Sequence, residues 1–355
     1  MASIYKKGSK IYMSWYDPIT GNAKNRSLKM TYNKVNLKKA EEFAEAFQKE
    51  LDKEIEKLRQ VGVKFITLQN AFNHFLRNNV KKDKNTISGY KIFFNLFTIK
   101  FPADSAVAEL NKIKVESWMT DLHSLDRAQN TLFGYQKILK KFLKFLFEYN
   151  YLIPFQINSD LLFRQELKPI ITFDEEDIKT ILKSLATKNS NFRTFIYAFF
   201  YSGLRPTDLL QLKVEDINVV KGTMQYYEQK IKDYNIVPIH PTLLPILQKR
   251  MDEVKTGKLF SYAEDKNIGK AFQRFLEDLG LDTKGYNLRT FRKTFISIAH
   301  DKDIDIATVS KLVGHKKIDT TMRYYTKISL SKKGEELKKF ELPELDAEEK
   351  EKSRN

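Results

Sequence analysis

The chain contains no cysteine in 355 residues. That excludes disulfides, thiolate nucleophiles and zinc sites built on sulfur. Histidine is scarce too, with five at positions 74, 123, 240, 300 and 315, too scattered for an imidazole cage around a metal. No metal ligands are assigned, although the composition is compatible with an oxygen-only magnesium site. No stretch approaches the roughly 18 consecutive apolar residues of a membrane-spanning helix. No basic amphipathic segment stands alone at a terminus, and the opening MASIYKKGSK lacks the apolar core of a signal peptide. A cytoplasmic protein with no membrane partner is expected.

What the chain has in excess is positive charge. Sixty-two Lys and Arg stand against 45 Asp and Glu, a formal charge of +17 with a pI near 9.5. A globular chain with that surplus faces a polyanion, and nucleic acid leads the list. The hydrophobic content of 42%, with 26 Phe and 17 Tyr, can fill real cores. Such a length suggests two or three domains.

Taken in order, residues 3–30 alternate in hydropathy between turns marked by Pro18 and Gly21, which predicts a small sheet of two or three strands. Lys6, Lys7 and Lys10 stud it and are candidate DNA contacts. A helix from Lys38 to Arg59 follows, with Ala40, Phe43, Ala44, Phe47, Leu51 and Ile55 at helical spacing. From Thr67 to Leu152 four helical patterns succeed one another. The last, from Ala128, has an aromatic stripe that reads as core and four lysines, Lys137, Lys140, Lys141 and Lys144, that read as phosphate contacts. Residues 153–168 lose periodicity and read as a linker. A second globular unit opens at Ile171, where Thr172-Phe-Asp-Glu-Glu resembles a capping box. Short strands lie between Val219 and Ile239, helices return to about Tyr325, and the end is polar. The expected architecture is mainly α with small β-sheets (α+β). Its parts are a sheet-and-helix module at 1–62, a helical domain at 63–153, a linker at 154–170, a second domain at 171–330 and a tail at 331–355.

The chemistry-bearing residues cluster in that second domain. SGLRPTD puts Arg205 after a glycine turn and before a helix, where a planar, permanently charged fork beside a helix N-terminus suits a phosphate oxygen. A local pair with Asp208 is the alternative. QKIKDYNIVPI puts Lys230 at a hairpin, with Lys232 competing for its role. NLRTFRKTF carries Arg289 and Arg292 three residues apart, on one side of a helix and without carboxylates nearby, a pattern that wants a polyanion. Lys293 beside them is solvated or touches DNA backbone. LVGHKKIDTTMRYY joins a turn histidine, His315, to two tyrosines, Tyr324 and Tyr325. A turn histidine or a helical tyrosine alone is usually a packing residue; beside four upstream cations the two suggest a phosphate pocket with a hydroxyl nucleophile.

In order and local context, SGLRPTD, the hairpin lysine ahead of IVPI, FRKTF, LVGH and the tyrosine resemble the tyrosine recombinases, the phage-integrase-like enzymes. The resemblance is close from about Ile171 to Lys327 and looser over the three-part layout. It implies a helical core-DNA-binding domain at 63–153, a catalytic domain at 171–330 and, weakly, an arm-type DNA-binding module at 1–62. It further implies Tyr324 as nucleophile, with Arg205, Lys230, Arg292 and His315 around the phosphate. Neither cofactor nor metal is needed. The implied partners are double-stranded DNA at recombination sites, a homo-tetramer assembled on it and, as a candidate, an accessory DNA-bending protein. The implied setting is the bacterial nucleoid, a phage or another mobile element. One position departs from the pattern: Arg289 stands where the family most often has histidine. Arginine binds phosphate but cannot serve as a base at neutral pH. A shifted register, with Arg289 as the motif arginine and Tyr286 ahead of it, fits the following K-T-F less well. Rival readings are a type IB topoisomerase, which shares the pocket chemistry, and a non-catalytic regulator using residues 306–324 as a helix-turn-helix.

Overall fold

The structure, a computed structural model, describes residues 2–17, 21–228, 233–262, 265–315 and 317–325, the side chains of residues 265, 266, 324 and 325 excepted. It divides into two compact units, Met1–Leu167 and Lys168–Asn355. Among the described residues no helix is long and apolar enough to cross a membrane.

In the first unit β1 (Ser3–Lys7), β2 (Lys10–Tyr16) and β3 (Ala23–Thr31) form an antiparallel sheet in that order. The two-residue period of β2 buries Ile11 and Met13 completely. Lys6, Lys7 and Lys10 are exposed. The sheet packs on α1 (Lys34–Gln60), where Trp15 meets Phe47 edge-on at 5.0 Å. Asn33 starts α1 earlier than the apolar pattern does, its side chain accepting the Asn36 N–H at 2.8 Å. Of the expected apolar face, Ala40, Ala44 and Ile55 are buried but Phe43 is 41% exposed. A helix of 27 residues, about 40 Å long, outruns so small a sheet.

The four helical patterns appear as α2 (Leu68–Asn78), α3 (Lys84–Lys100), α4 (Lys112–His123) and α5 (Gln129–Glu148). Thr67, Asp83 and Asn111 cap the first three through their side-chain oxygens. Their common core is aromatic: Phe142 of α5 is fully buried and meets the rings of Phe72, Phe75, Phe93 and Phe97. Truncating it to alanine would cost about 3–5 kcal/mol. The non-periodic stretch after α5 differs from expectation, for it is fastened to this core. Phe163 is buried, stacked on His123 at 4.0 Å, and its backbone N–H and C=O both bond to the Gln136 amide, at 2.6 and 3.2 Å. An extended segment pinned by one aromatic side chain has no hydrophobic period to detect.

In the second unit α6 (Glu175–Ser184) is capped by Asp174, which accepts the Asp177 N–H at 2.9 Å. The box expected from Thr172 does not form. Phe173 turns into the core instead, its backbone N–H donated to Thr294 Oγ1 at 2.9 Å, and the helix starts only after it. Then come α7 (Ser190–Ser202), the single turn α8 (Pro206–Leu209), and an antiparallel sheet of β4 (Ile217–Asn218), β5 (Thr223–Glu228) and β6 (Asp233–Pro238). Helices α9 (Leu244–Val254), α10 (Asp265–Asp278), α11 (Leu288–Asp301), α12 (Ile306–Leu312) and α13 (Asp319–Tyr325) complete it. Phe195, Phe199, Phe272 and Phe291 fill its core, and α11 packs against α7, α12 and α13.

Candidate active site

Arg205 is the residue before a proline, which holds its backbone extended at φ −74°, ψ 148° and starts α8. With only four residues, α8 adds little macrodipole, so the expected helix N-terminus is replaced by the guanidinium itself as the source of positive potential. One of its amino groups, Nη1, forms an ion pair with the Glu228 carboxylate and lies 3.5 Å from Asp208. The other, Nη2, donates to the Gly314 carbonyl at 2.8 Å. The local pair of Arg205 with Asp208 is therefore present, and a second carboxylate, Glu228, joins it.

Arg292 comes from the buried side of α11 and is 8% exposed. Its Nη1 donates to the Gly203 carbonyl at 3.1 Å, while Nη2 is buried and has no hydrogen-bond partner among the described residues. Burial, and then the charge of Arg205, push this guanidinium down to about 10. Asp208 and Glu228 pull the other way, so the pair of arginines does have carboxylates near it, contrary to expectation. They arrive from α8 and β5, far along the chain from Arg292. Gly203 makes the approach possible: it ends α7 at φ +60°, and a Cβ there would stand 2.6 Å from the Phe295 ring.

Arg205, Thr207, Asn287, Arg289, Arg292 and Lys293 line one cavity of about 470 Å³. Arg289 and Arg292 share it but not their depth, Arg289 being exposed at its rim. Lys293 is half-buried, and burial together with the Arg289 charge lowers its pKa. His315 lines a second cavity of about 460 Å³ with Glu228, Asn235, Ser310 and Gly314. Its backbone N–H bonds to the Ser310 carbonyl at 2.8 Å, and its Nδ1 lies 2.7 Å from the hydroxyl of the fully buried Thr321. The Arg205–Glu228 pair joins the two cavities. Lys230 and Lys232 lie outside the described residues. Tyr324 and Tyr325 end α13, which packs on α11 and α12, and their side chains lie outside the description.

On α5, Lys137, Lys140 and Lys144 are exposed, whereas the Lys141 ammonium turns inward. It bonds to Asn79 at 2.6 Å and the Tyr90 hydroxyl at 2.5 Å, over the Tyr90 ring. Sequence reasoning missed Glu228, Thr321 and the Gly314 carbonyl. A signal existed for the first: Met224, Tyr226 and Glu228 alternate along β5 on its buried side. The other two are set by tertiary packing and leave no pattern.

In fold the chain is similar to solved integrases in complex with DNA. It is similar to the Tn1549 transposon integrase solved in complex with a circular intermediate DNA, at a TM-score of 0.65 and 14% identity, covering 78% of this chain and all of that one. It is also similar to a lambda integrase dimer bound to a COC' core site, at a TM-score of 0.62 and 13% identity over 97% of each chain. Likeness at that identity speaks of fold alone. The sequence goes further: residues 172–330 match the model of the phage integrase family. The tyrosine recombinase XerD of Staphylococcus epidermidis is 22% identical over 284 residues, which span 75% of this chain and 95% of the relative. A probable integrase/recombinase of Acholeplasma phage L2 is 26% identical over 172 residues, 45% of this chain and 58% of the relative. Residues 172–330 thus carry a phage integrase family domain, and the relatives that match the chain include named tyrosine recombinases.

Proposed function

We propose that the chain recombines double-stranded DNA at specific sites through a 3′-phosphotyrosyl intermediate formed by Tyr324. The observation that carries this reading is the pair of guanidinium forks, Arg205 and Arg292, on one cavity, with a buried Arg292 amino group that has no hydrogen-bond partner among the described residues. A desolvated cation of this kind is matched by an anion that brings its own acceptor oxygens, as a phosphodiester does. Arg205 and Arg292 bind the non-bridging oxygens and stabilise the charge that grows on them, and Arg289 adds a third cation at the rim. The Tyr324 oxygen attacks phosphorus, its proton passes to His315, and the bond to the 5′ oxygen breaks. Lys230 gives that oxygen a proton. The 5′-hydroxyl of a partner strand then attacks the phosphotyrosine and restores both groups. The bond energy stays in the covalent link, so no nucleotide is consumed.

The rest of the chain serves the DNA. The exposed lysines of α5 contact its backbone from the 63–153 domain, Lys293 does so from the catalytic domain at 171–330, and Lys6, Lys7 and Lys10 equip the sheet at 1–62 as an arm-type module. Two duplexes require four active sites, hence a tetramer on DNA, with a DNA-bending protein as the candidate accessory. The net charge of +17 supports this placement.

Covalent trapping on nicked duplexes tests the reaction. Wild type, Tyr324→Phe and Tyr325→Phe are compared on a denaturing gel. An adduct lost only in Tyr324→Phe is expected. Loss only in Tyr325→Phe moves the nucleophile by one residue, and no adduct on DNA that wild type binds overturns the reading in favour of a regulator.

A further inference from the structure

Glu228 ends β5 and is 3% exposed. Its carboxylate ion-pairs with Arg205 Nη1, while Arg205 Nη2 reaches the Gly314 carbonyl at 2.8 Å. The carboxylate also lies against the Gly314 backbone itself. Gly314 has φ +65°, and a Cβ there would stand 2.9 Å from Glu228 Oε2 and 3.0 Å from the Tyr226 hydroxyl. That hydroxyl accepts a hydrogen bond from Asn235 Nδ2 of β6 at 3.1 Å. The hairpin strands, the guanidinium and the turn that carries His315 are thus closed into one ring of interactions. Lys230 follows Glu228 by two residues in the sequence.

We propose that Glu228 is a positioning residue for strand cleavage, its buried carboxylate fixing the Arg205 fork and tying the hairpin to the Gly314–His315 turn. The proposal rests on Arg205 as a phosphate ligand in the reaction given above. Charge decides between orientation and affinity. A carboxylate beside a phosphate site repels the phosphate and is costly to bury, so it does not serve binding. What it supplies is geometry: an arginine stem has several rotatable bonds, and two acceptors on opposite amino groups leave the fork one orientation. Misplacing a group that touches the reacting phosphate by about 1 Å can cost on the order of a hundredfold in rate. Removing Glu228 therefore slows cleavage without weakening the hold on DNA.

The experiment is single-turnover cleavage by the full chain on nicked duplexes with randomised arms, preselected by wild-type adduct formation. Wild type, Glu228→Gln, Arg205→Ala and the double variant are compared, with half-saturating DNA concentration and melting temperature recorded for each. Expected for Glu228→Gln is cleavage slower by about ten- to a hundredfold, the order that a misplaced phosphate ligand costs. Its half-saturating DNA concentration stays equal or falls. The double variant cleaves no more slowly than Arg205→Ala, because Glu228 acts through Arg205. If the two losses multiply, or if Glu228→Gln weakens DNA binding with cleavage at saturation unchanged, the positioning role is wrong while the reaction stands. If wild type yields no adduct on DNA it binds, the reaction itself fails and Glu228 loses its role with it. Should Glu228→Gln not fold, Glu228→Asp, which keeps the charge and shortens its reach, enters the same cycle with the same expected signs.

Discussion

At Arg292 a guanidinium occupies a position whose neighbours along α11, Phe291 and Ile296, belong to the core. Burial depresses its pKa to about 10, and Arg205 adds to the effect. At neutral pH the group stays charged, and a buried cation of this kind favours the binding of an anion. Binding to the folded state alone raises the melting temperature. Millimolar inorganic phosphate is thus expected to raise the wild-type melting temperature relative to chloride at equal ionic strength. Arg292→Met is expected to lose that increment and, as the loss of a preorganised charge, about a hundred- to a thousandfold in adduct formation. A phosphate shift that survives in Arg292→Met would place the anion elsewhere.

At the scale of elements, α5 separates two roles that its sequence presents as one. Lys137, Lys140 and Lys144 extend into solvent, while Lys141 is held by Asn79 and Tyr90 between α2 and α3. Alanine at the three outer positions is expected to weaken DNA binding uniformly across sequences and to flatten the salt slope by roughly 0.9 for each phosphate that is no longer neutralised. Lys141→Ala is expected instead to lower the melting temperature and leave that slope alone. Binding titrations at several salt concentrations, with thermal melts, check both. A second element-level device joins the turn before β4 to the loop after α9. The Thr256 hydroxyl and the Gly257 N–H both donate to Glu215, at 2.6 and 2.9 Å, and hold its carboxyl down to about 2 from an ordinary 4.5. A depressed carboxylate contributes stability that is full above 4.5 and fades as pH falls through 4.5 toward 2. The melting-temperature gap between wild type and Glu215→Gln should accordingly be present at neutral pH and close across that window. A gap that widens in acid would contradict the assignment.

The whole molecule is two compact units under one large positive charge. In the first, the basic sheet is tied to the helices by Lys24, which bonds to Asp17 at 2.6 Å and to Glu109 at 2.7 Å. Partial burial alone would lower the Lys24 pKa, but the hydrogen bonds to the two carboxylates outweigh it and the pKa is raised. An assembly that brings two duplexes together needs one active site per strand. With the charge of each copy opposing association in free solution, the chain is expected to sediment as a monomer alone and to reach four copies only on recombination-site DNA. Analytical ultracentrifugation with labelled duplex checks this. A stable tetramer without DNA, or activity from a DNA-bound monomer as in a type IB topoisomerase, would refute it.

The sequence by itself determined the α+β class, the order of helices and the positions of Arg205, Arg292 and His315, because periodicity, glycine turns and Pro206 are local signals that survive without a fold. It also placed the helix pair around Gly314 and the strands flanking Lys230. It misjudged Thr172, where burial of Phe173 overrode a capping pattern, and the stretch after α5, where Phe163 fastens an aperiodic chain. Only the tertiary structure decided which charges meet. The Arg205 fork spans from Glu228 to Gly314, and Thr321 meets His315 across the turn. The Arg292 amino group that has no hydrogen-bond partner among the described residues lies where it does because α11 carries it beneath Gly203. Such pairings depend on how distant segments pack, and electrostatic pairing between side chains leaves no period in the chain to be read.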